Sequence, residues 1–367
     1  MHIYLQNLES HGPEEGHFNM ETLWLVVKCA PLLPYFILDF GPPVPKEVLY
    51  CPAMEMDFIK GQLGFAYMLP MHGAHGSGCI NEGQGYSTDQ GEIFVKSSQD
   101  HSDGQEMFAG ELAGLQAIIA TSTVRCPRPL TVAQHPDTGR AVLVMEFLQM
   151  RSLRARSAQL GRQLARLHLH NSTAKDAQSA EASHVGAPEK QMDSAVQQFG
   201  FHVPTCCGRI PQANTWHDDW LEFLTRVKLQ PQIEMIERDY GDREVMELWS
   251  RLLRRLPEFF RNISVEPALL HGDLWSGNAA EVDQEPVVYD PASFYGHAEF
   301  DLGIAKWFGG FGADFYRAYH ELLPRKAGFE TRNKLYQLFH HLNHWNHFGS
   351  SYRGGSVSLM RSLVERK

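Results

Sequence analysis

The segment His271-Gly272-Asp273-Leu274-Trp275-Ser276-Gly277-Asn278 constrains this chain more than any other stretch. It has the form H-x-D-x-x-x-x-N, and Asp290 follows it directly after the apolar Val287-Val288-Tyr289. Asp273 would accept the proton of an attacking hydroxyl, and Asn278 would offer an amide oxygen to a divalent cation. A carboxylate such as Asp290 at the end of a buried strand is unfavourable unless something pairs with it, and a cation bridging phosphates would do so. A lone H-G-D could be a turn with a capping aspartate. The ordered set Asp273, Asn278 and Asp290 is instead the spacing of a kinase catalytic loop. Protein kinases carry D-F-G where this chain has Asp290-Pro291-Ala292, which argues against a protein kinase with a phenylalanine switch.

The upstream half supplies what such a loop needs. Glu92-Ile93-Phe94-Val95-Lys96 reads as a strand ending in a lysine, and Glu111 lies on the next helical pattern, Met107 to Ala120. That is the order of a phosphate-holding lysine and the helix glutamate that orients it. Gly76-Ser77-Gly78-Cys79 precedes the lysine strand and would let backbone amides from Gly76 and Gly78 approach phosphate. It is not a full G-x-G-x-x-G, and the chain has no G-K-[ST] motif, which disfavours a P-loop NTPase. Ala141 to Met145 is a continuous apolar run, read as a buried strand. Glu146, Phe147 and Leu148 follow it as an extended linker whose backbone would meet adenine. Cys79, among backbone N–H donors, is a candidate redox-sensitive thiol. His340, His341, His344 and His347 share a helical stretch with Leu342, Trp345 and Phe348 and read as core or pocket-lining residues.

The chain organises as residues 1–65, 66–148 and 149–367. The first stretch is broken by Pro31, Pro34, Pro42, Pro43 and Pro45 and shows no persistent period, so it reads as a poorly ordered extension. The second is a small β-rich lobe and the third a larger helical lobe. Within the third, 171–195 is polar and reads as a surface loop or insertion. The fold class is therefore α+β, two-lobed and protein-kinase-like. The formal net charge of −10 argues against a nucleic-acid groove. Leu23 to Leu38 contains Lys28, Pro31 and Pro34 and is too short and interrupted to span a bilayer. The six cysteines show no CxxC pairing, so a reduced, cytoplasmic protein is expected.

Leu269 to Asn278, followed by Tyr289-Asp290-Pro291-Ala292-Ser293-Phe294-Tyr295-Gly296-His297, resembles the fructosamine-3-kinase and ketosamine-3-kinase family. Further matching stretches are Gly78-Cys79-Ile80, Phe94-Val95-Lys96, Val144-Met145-Glu146, Phe199-Gly200-Phe201-His202, Thr205-Cys206-Cys207-Gly208 and Leu342 to Gly349, so the likeness runs from about Gly73 to Val364. The resemblance implies a fold shared with aminoglycoside and choline kinases. It implies ATP and Mg²⁺ as cofactors and phosphorylation of the 3-hydroxyl of a ketoamine sugar on a lysine side chain. The ester then decomposes and frees the amine, which is repair of glycated protein. It makes Asp273 the base, places Asn278 and Asp290 on Mg²⁺, Lys96 on phosphate and Glu146 to Leu148 against adenine, and offers Trp275 and His297 to the sugar. Trp-Ser-Gly-Asn and Phe-Gly-Phe-His incline it to the fructosamine enzyme, acting as a monomer or a redox-linked dimer. Two departures stand out: the stretch before Gly73 does not resemble the family, and Gly303 and Lys306 fall where the family is more apolar. The rival readings are an inactive ATP-binding homologue of the same fold and a kinase for choline or an aminoglycoside.

Overall fold

The computed structural model describes residues 52–77, 82–98, 104–182 and 195–365. Gly78, Cys79 and the stretch Leu23 to Leu38 lie outside the described residues, and with them the Cys79 redox reading. The first lobe is an antiparallel sheet of β1 (Met68–Ser77), β2 (Glu82–Thr88), β3 (Gly91–Ser97), β4 (Pro129–Gln134) and β5 (Ala141–Glu146), ordered β1-β2-β3-β5-β4. Thr88 pairs with Gly91 across the two-residue turn at Asp89 and Gln90.

The apolar run in β5 is continuous because both faces of the sheet are covered. Val142 and Val144 join Ile93, Val95, Tyr86 and Met68 on one face; Leu143 and Met145 join Phe108 on the other. The second face is closed by α2 (Gly104–Ala120), the first by α1 (Pro52–Leu63), whose Ile59 is 2% exposed. The expectation of a poorly ordered 1–65 changes for residues 52–63 alone, since 1–51 lie outside the described residues. The helix α1 lies inside that stretch and is part of the lobe's core, with Phe58 and Leu63 packed around it.

The second lobe is built on α3 (Ser157–Ala182), α4 (Trp220–Phe223), α5 (Gln230–Tyr240), α6 (Arg243–Phe260), α7 (Asp301–Phe308), α8 (Ala313–Leu322), α9 (Phe329–Phe348) and α10 (Arg353–Val364). The helix α3 runs to Ala182, through part of the segment read as a loop. Its Ala, Gln, Lys and Glu residues are good helix formers, so polarity there marks a solvated helix rather than a break. The core of this lobe is aromatic, with Trp220, Phe223, Phe294, Phe300, Tyr336, Phe339 and Trp345 all buried. Gly303, polar by the family's standard, is where α7 crosses α9: a Cβ there would lie 2.7 Å from the Tyr336 Cβ. Lys306 pairs at the surface with Glu330 at 2.7 Å. Among the described residues no helix is long and apolar enough to cross a membrane.

Short strands hold the motif between the lobes. β6 (Arg151–Ser152) leads into the second lobe, and β7 (Thr205–Cys207) pairs with β8 (Ile210–Gln212). β9 (Ala268–Leu270) carries the chain into the catalytic segment; β10 (Ala279–Val282) and β11 (Glu285–Val288) form the hairpin after it; β12 (Phe294–Gly296) pairs back onto β9.

Candidate active site

The loop from His271 to Asn278 spans from β9 to β10, and Asp290 follows β11, so two adjacent strand pairs bring the motif together. Gly272 makes the approach possible. Its φ is +86°, and a Cβ there would sit 2.0 Å from the carbonyl oxygen of Ala292, whose N–H donates to the His271 carbonyl at 2.8 Å. No other residue type fits that close contact in that backbone region.

Two backbone N–H groups of the loop need acceptors, and one residue supplies both. Asp301, fully buried at the start of α7, accepts from His271 N through Oδ2 and from Gly272 N through Oδ1, each at 2.8 Å. His168 on α3 donates through Nε2 to Asp301 Oδ2 at 3.1 Å, and its Nδ1 meets the Tyr319 hydroxyl at 2.8 Å. Burial alone would push the Asp301 carboxyl up. The His168 bond, the neighbouring imidazoles and the Gly272 N–H outweigh it and hold the group below its usual range. Motif spacing passed over Asp301 and His168. The available signal was a lone polar residue in an apolar helical setting: Phe300-Asp301-Leu302 and Leu167-His168-Leu169.

Asp273 is partly buried at the mouth of the loop. Burial, then the charges of Asp290 and Asp301, push its carboxyl up to about 7, while the Asn278 amide pulls the other way. A carboxylate poised near neutrality can accept a hydroxyl proton. Asn278 donates through Nδ2 to the Asp273 carbonyl at 2.9 Å and to Asp273 Oδ2 at 3.3 Å. Its amide oxygen is therefore left over. Asp290 stands at φ 57°, a strained backbone region for a non-glycine residue. It gives Oδ1 to Lys96 at 3.0 Å, which leaves Oδ2 for another partner. Two spare oxygens beside an open cleft are hard donors of the kind Mg²⁺ takes alongside substrate phosphates.

Lys96 and Glu111 meet as the sequence order predicts. Lys96 Nζ lies 2.8 and 2.7 Å from the two Glu111 oxygens, and both residues are 8% exposed. Burial would lower the lysine, but the charges of Asp290 and Glu111 more than offset it and hold the ammonium above its usual value. The helix α2 thus fixes a cation from β3 against Asp290 of the second lobe. Gly76 sits within β1, paired with Gly83, so the strand runs to Ser77, into the run Gly76 to Cys79 read as a phosphate loop.

The linker side chains are tied elsewhere, and the expectation for His297 is corrected. The Glu146 side chain turns to Arg125 at 3.0 Å and to the Arg128 N–H at 3.2 Å, and Arg125 also binds Glu285 at 2.8 Å. It ties the end of β5 to the β10–β11 hairpin, and the Glu146 N–H donates to the Arg128 carbonyl at 2.8 Å. Leu148 packs on Ala280, Val282 and Val287 of that hairpin, and the Phe147 N–H donates to the Glu92 carbonyl at 3.3 Å. His297 lies in the aromatic core, not the cleft: its Nδ1 meets the Tyr336 hydroxyl at 2.6 Å, and Trp220 and Phe260 pack against it. It stands at the start of the 3-10 turn after β12 and makes no cap hydrogen bond there. Trp275 remains at the loop, half-buried against Phe308 with ring centroids 5.5 Å apart.

The buried imidazole of His297 gives a pH prediction. Burial, then the nearby Arg332 and Lys326 charges, hold it well below its ordinary value. A depressed folded pKa means that its contribution is fully present above the free imidazole value, about 6.5. Below that, each pH unit removes about 1.4 kcal/mol until the folded pKa is reached. Urea unfolding at pH 7.5 and 5.5 checks this: His297→Gln is expected to lose about one proton's worth of the slope, and an unchanged slope contradicts the buried neutral state.

The comparisons with known proteins agree with this geometry. The profile of the fructosamine kinase family matches residues 54–366, beginning upstream of the Gly73 start expected from the motifs and taking in most of α1. The ketosamine-3-kinase of Mus musculus is 51% identical over 306 residues, 83% of this chain and 98% of that protein. A chloroplastic protein-ribulosamine 3-kinase of Arabidopsis thaliana is 39% identical over 336 residues, 90% of this chain and 95% of that protein. A candidate fructosamine-3-kinase of Thermobifida fusca, known from its crystal structure, superposes with a TM-score of 0.66 at 25% identity, over 84% of this chain and 98% of that one. An aminoglycoside phosphotransferase in complex with AMP-PNP and hygromycin B shares the fold alone, with a TM-score of 0.52 at 11% identity over 84% and 97% of the two chains. With a profile match across most of its length and a cleft of this construction, the chain belongs to the fructosamine kinase family.

Proposed function

We propose that the chain transfers the γ-phosphoryl group of ATP to the 3-hydroxyl of ketoamine sugars on lysine side chains of glycated proteins, in a reducing compartment such as the cytoplasm. The observation that carries the reading is the Lys96–Glu111–Asp290 cluster facing a loop that presents Asp273 and Asn278. The relatives named above act, by name, on ketosamines and on protein ribulosamines, so the class proposed is ketoamines in general rather than fructosamines alone.

Asp273 takes the proton of the sugar hydroxyl as its oxygen bonds to the γ-phosphorus and the bond to the β-bridging oxygen breaks, leaving ADP. Lys96, kept charged and aimed by Glu111, binds the α- and β-phosphates. Asn278 Oδ1 and the spare oxygen of Asp290 are the ligands that would hold Mg²⁺. A cation bound there supplies positive charge against the phosphates. The backbone of 146–148 is offered to adenine and Trp275 to the sugar.

Lys96→Met is expected to lower kcat/KM for ATP by at least about tenfold, because the charge-assisted contact is removed; an unchanged kcat/KM would remove Lys96 from the phosphate site. The function itself is tested with a panel of fructosyl-lysine, ribulosyl-lysine, choline and an aminoglycoside, each with ATP and Mg²⁺. Turnover confined to the ketoamines, with free lysine appearing afterwards, is expected. Turnover of choline or the aminoglycoside alone would reassign the substrate.

A further inference from the structure

Asp273 also meets two residues that phosphoryl transfer leaves without a task. Cys207 ends β7 and His340 lies within α9, and one ligand atom from each of Cys207, Asp273 and His340 falls within 4.8 Å of the others. Cys207 is 2% exposed and His340 fully buried, and neither ring nitrogen of His340 has a hydrogen-bond partner. A buried imidazole with both nitrogens unsatisfied is unfavourable and asks for a missing partner. This set differs from the run of four histidines in the sequence, of which only His340 takes part.

The donors specify the partner's chemistry. Thiolate, imidazole and one carboxylate oxygen form a borderline-soft set that suits Zn²⁺, whereas Mg²⁺ favours oxygen alone. Bonds of roughly 2.0–2.3 Å place tetrahedral ligands about 3.3–3.8 Å apart, so side-chain rotations of about 1 Å would close the site. Three protein ligands leave a fourth position for water from the cleft. The buried Lys228 amine donates to Gln212 Oε1 at 2.6 Å and to Asn214 Oδ1 at 2.8 Å. Burial pushes it well below its ordinary value, which lessens its charge against an incoming cation.

We propose that Cys207, Asp273 and His340 form an inhibitory zinc site that occupies the catalytic carboxylate. Zn²⁺ binds as Cys207 gives up its thiol proton to solvent, the Zn–S bond replacing the S–H bond with no change of oxidation state. Asp273, once on the metal, cannot accept a hydroxyl proton. The inhibition rests on Asp273 being the base; the binding does not.

The test uses the full chain stripped of metal by a chelator. Zn²⁺ is titrated by calorimetry, and Cd²⁺ as a spectroscopic substitute by its ultraviolet thiolate band, both without substrate. One ion per chain is expected, with a thiolate band present and, at a pH about one unit above the Asp273 value of about 7, about one proton released. Loss of an outer-shell partner alone weakens metal sites by roughly 10–100-fold. Cys207→Ala and His340→Gln should therefore each weaken binding at least about tenfold, and Cys206→Ala should not. Cys207→Ser serves as a second variant, and nucleotide binding reports that each protein is folded. Zn²⁺ inhibition of phosphoryl transfer, with Mg²⁺ in excess, should weaken by the same factor in the Cys207 variants. Absence of saturable binding, absence of the thiolate band, or binding unchanged in folded Cys207 and His340 variants would each overturn the proposal. Metal binding with no transfer to any ketoamine would leave the site standing and sink the functional reading instead.

Discussion

Replacing Asp273 by asparagine is expected to lower kcat by about a hundred- to ten-thousand-fold, the range for losing a positioned general base, while ATP binds as before. The substitution keeps the side chain's shape and the Asn278 bond to the Asp273 backbone carbonyl, 2.9 Å in the native loop. It removes the loop carboxylate that takes the hydroxyl proton in the proposed mechanism. In the proposed site the nucleotide would be held from Lys96, Asp290 and Asn278, so its affinity should stay within a factor of a few. Steady-state kinetics beside a calorimetric ATP titration separate the two. A variant within threefold of native kcat would remove Asp273 as the base, and joint loss of turnover and ATP affinity would mean that the loop had collapsed.

Asp301→Asn is the second large effect, and it acts through positioning. Asp301 accepts from His271 N, Gly272 N and His168 Nε2 and is fully buried. An amide has one acceptor oxygen, so either arrangement of its two ends points an N–H at another N–H. Breaking a buried, paired charge costs about 3–5 kcal/mol, and a loss of that size is expected in urea unfolding with the slope unchanged. The surviving folded enzyme should also show lower kcat, because the two clamped N–H groups lie next to Asp273. Because the folded pKa is depressed, this stabilisation is present above the ordinary carboxylate range and lost as pH falls through the folded value. Stability within about 1 kcal/mol of native would show that the clamp carries little.

Motifs read well where chemistry fixes both residue type and spacing. Asp273, Asn278 and Asp290 were legible because one loop and one strand end bring them together, and Lys96 with Glu111 because strand-then-helix order is local. The apolar β5 run was legible as a buried strand, but it held more. A strand apolar on both faces requires two covers, and α1 is the second, hidden in a stretch judged by its prolines. His297 was misplaced because an aromatic-rich sequence near a catalytic loop does not reveal which way a 3-10 turn faces. The Arg125 clamp on Glu146 and Glu285 joins residues far apart in sequence, which no local pattern encodes.

Phosphoryl transfer to a ketoamine hydroxyl is measured most directly from radiolabelled ATP to fructosyl-lysine and ribulosyl-lysine, with phosphorus NMR placing the ester. Label on the sugar at the 3-position, dependent on Mg²⁺ and absent in Asp273→Asn, is the result expected. A folded, ATP-binding protein that labels neither ketoamine, or that labels them equally well without Asp273, would contradict it.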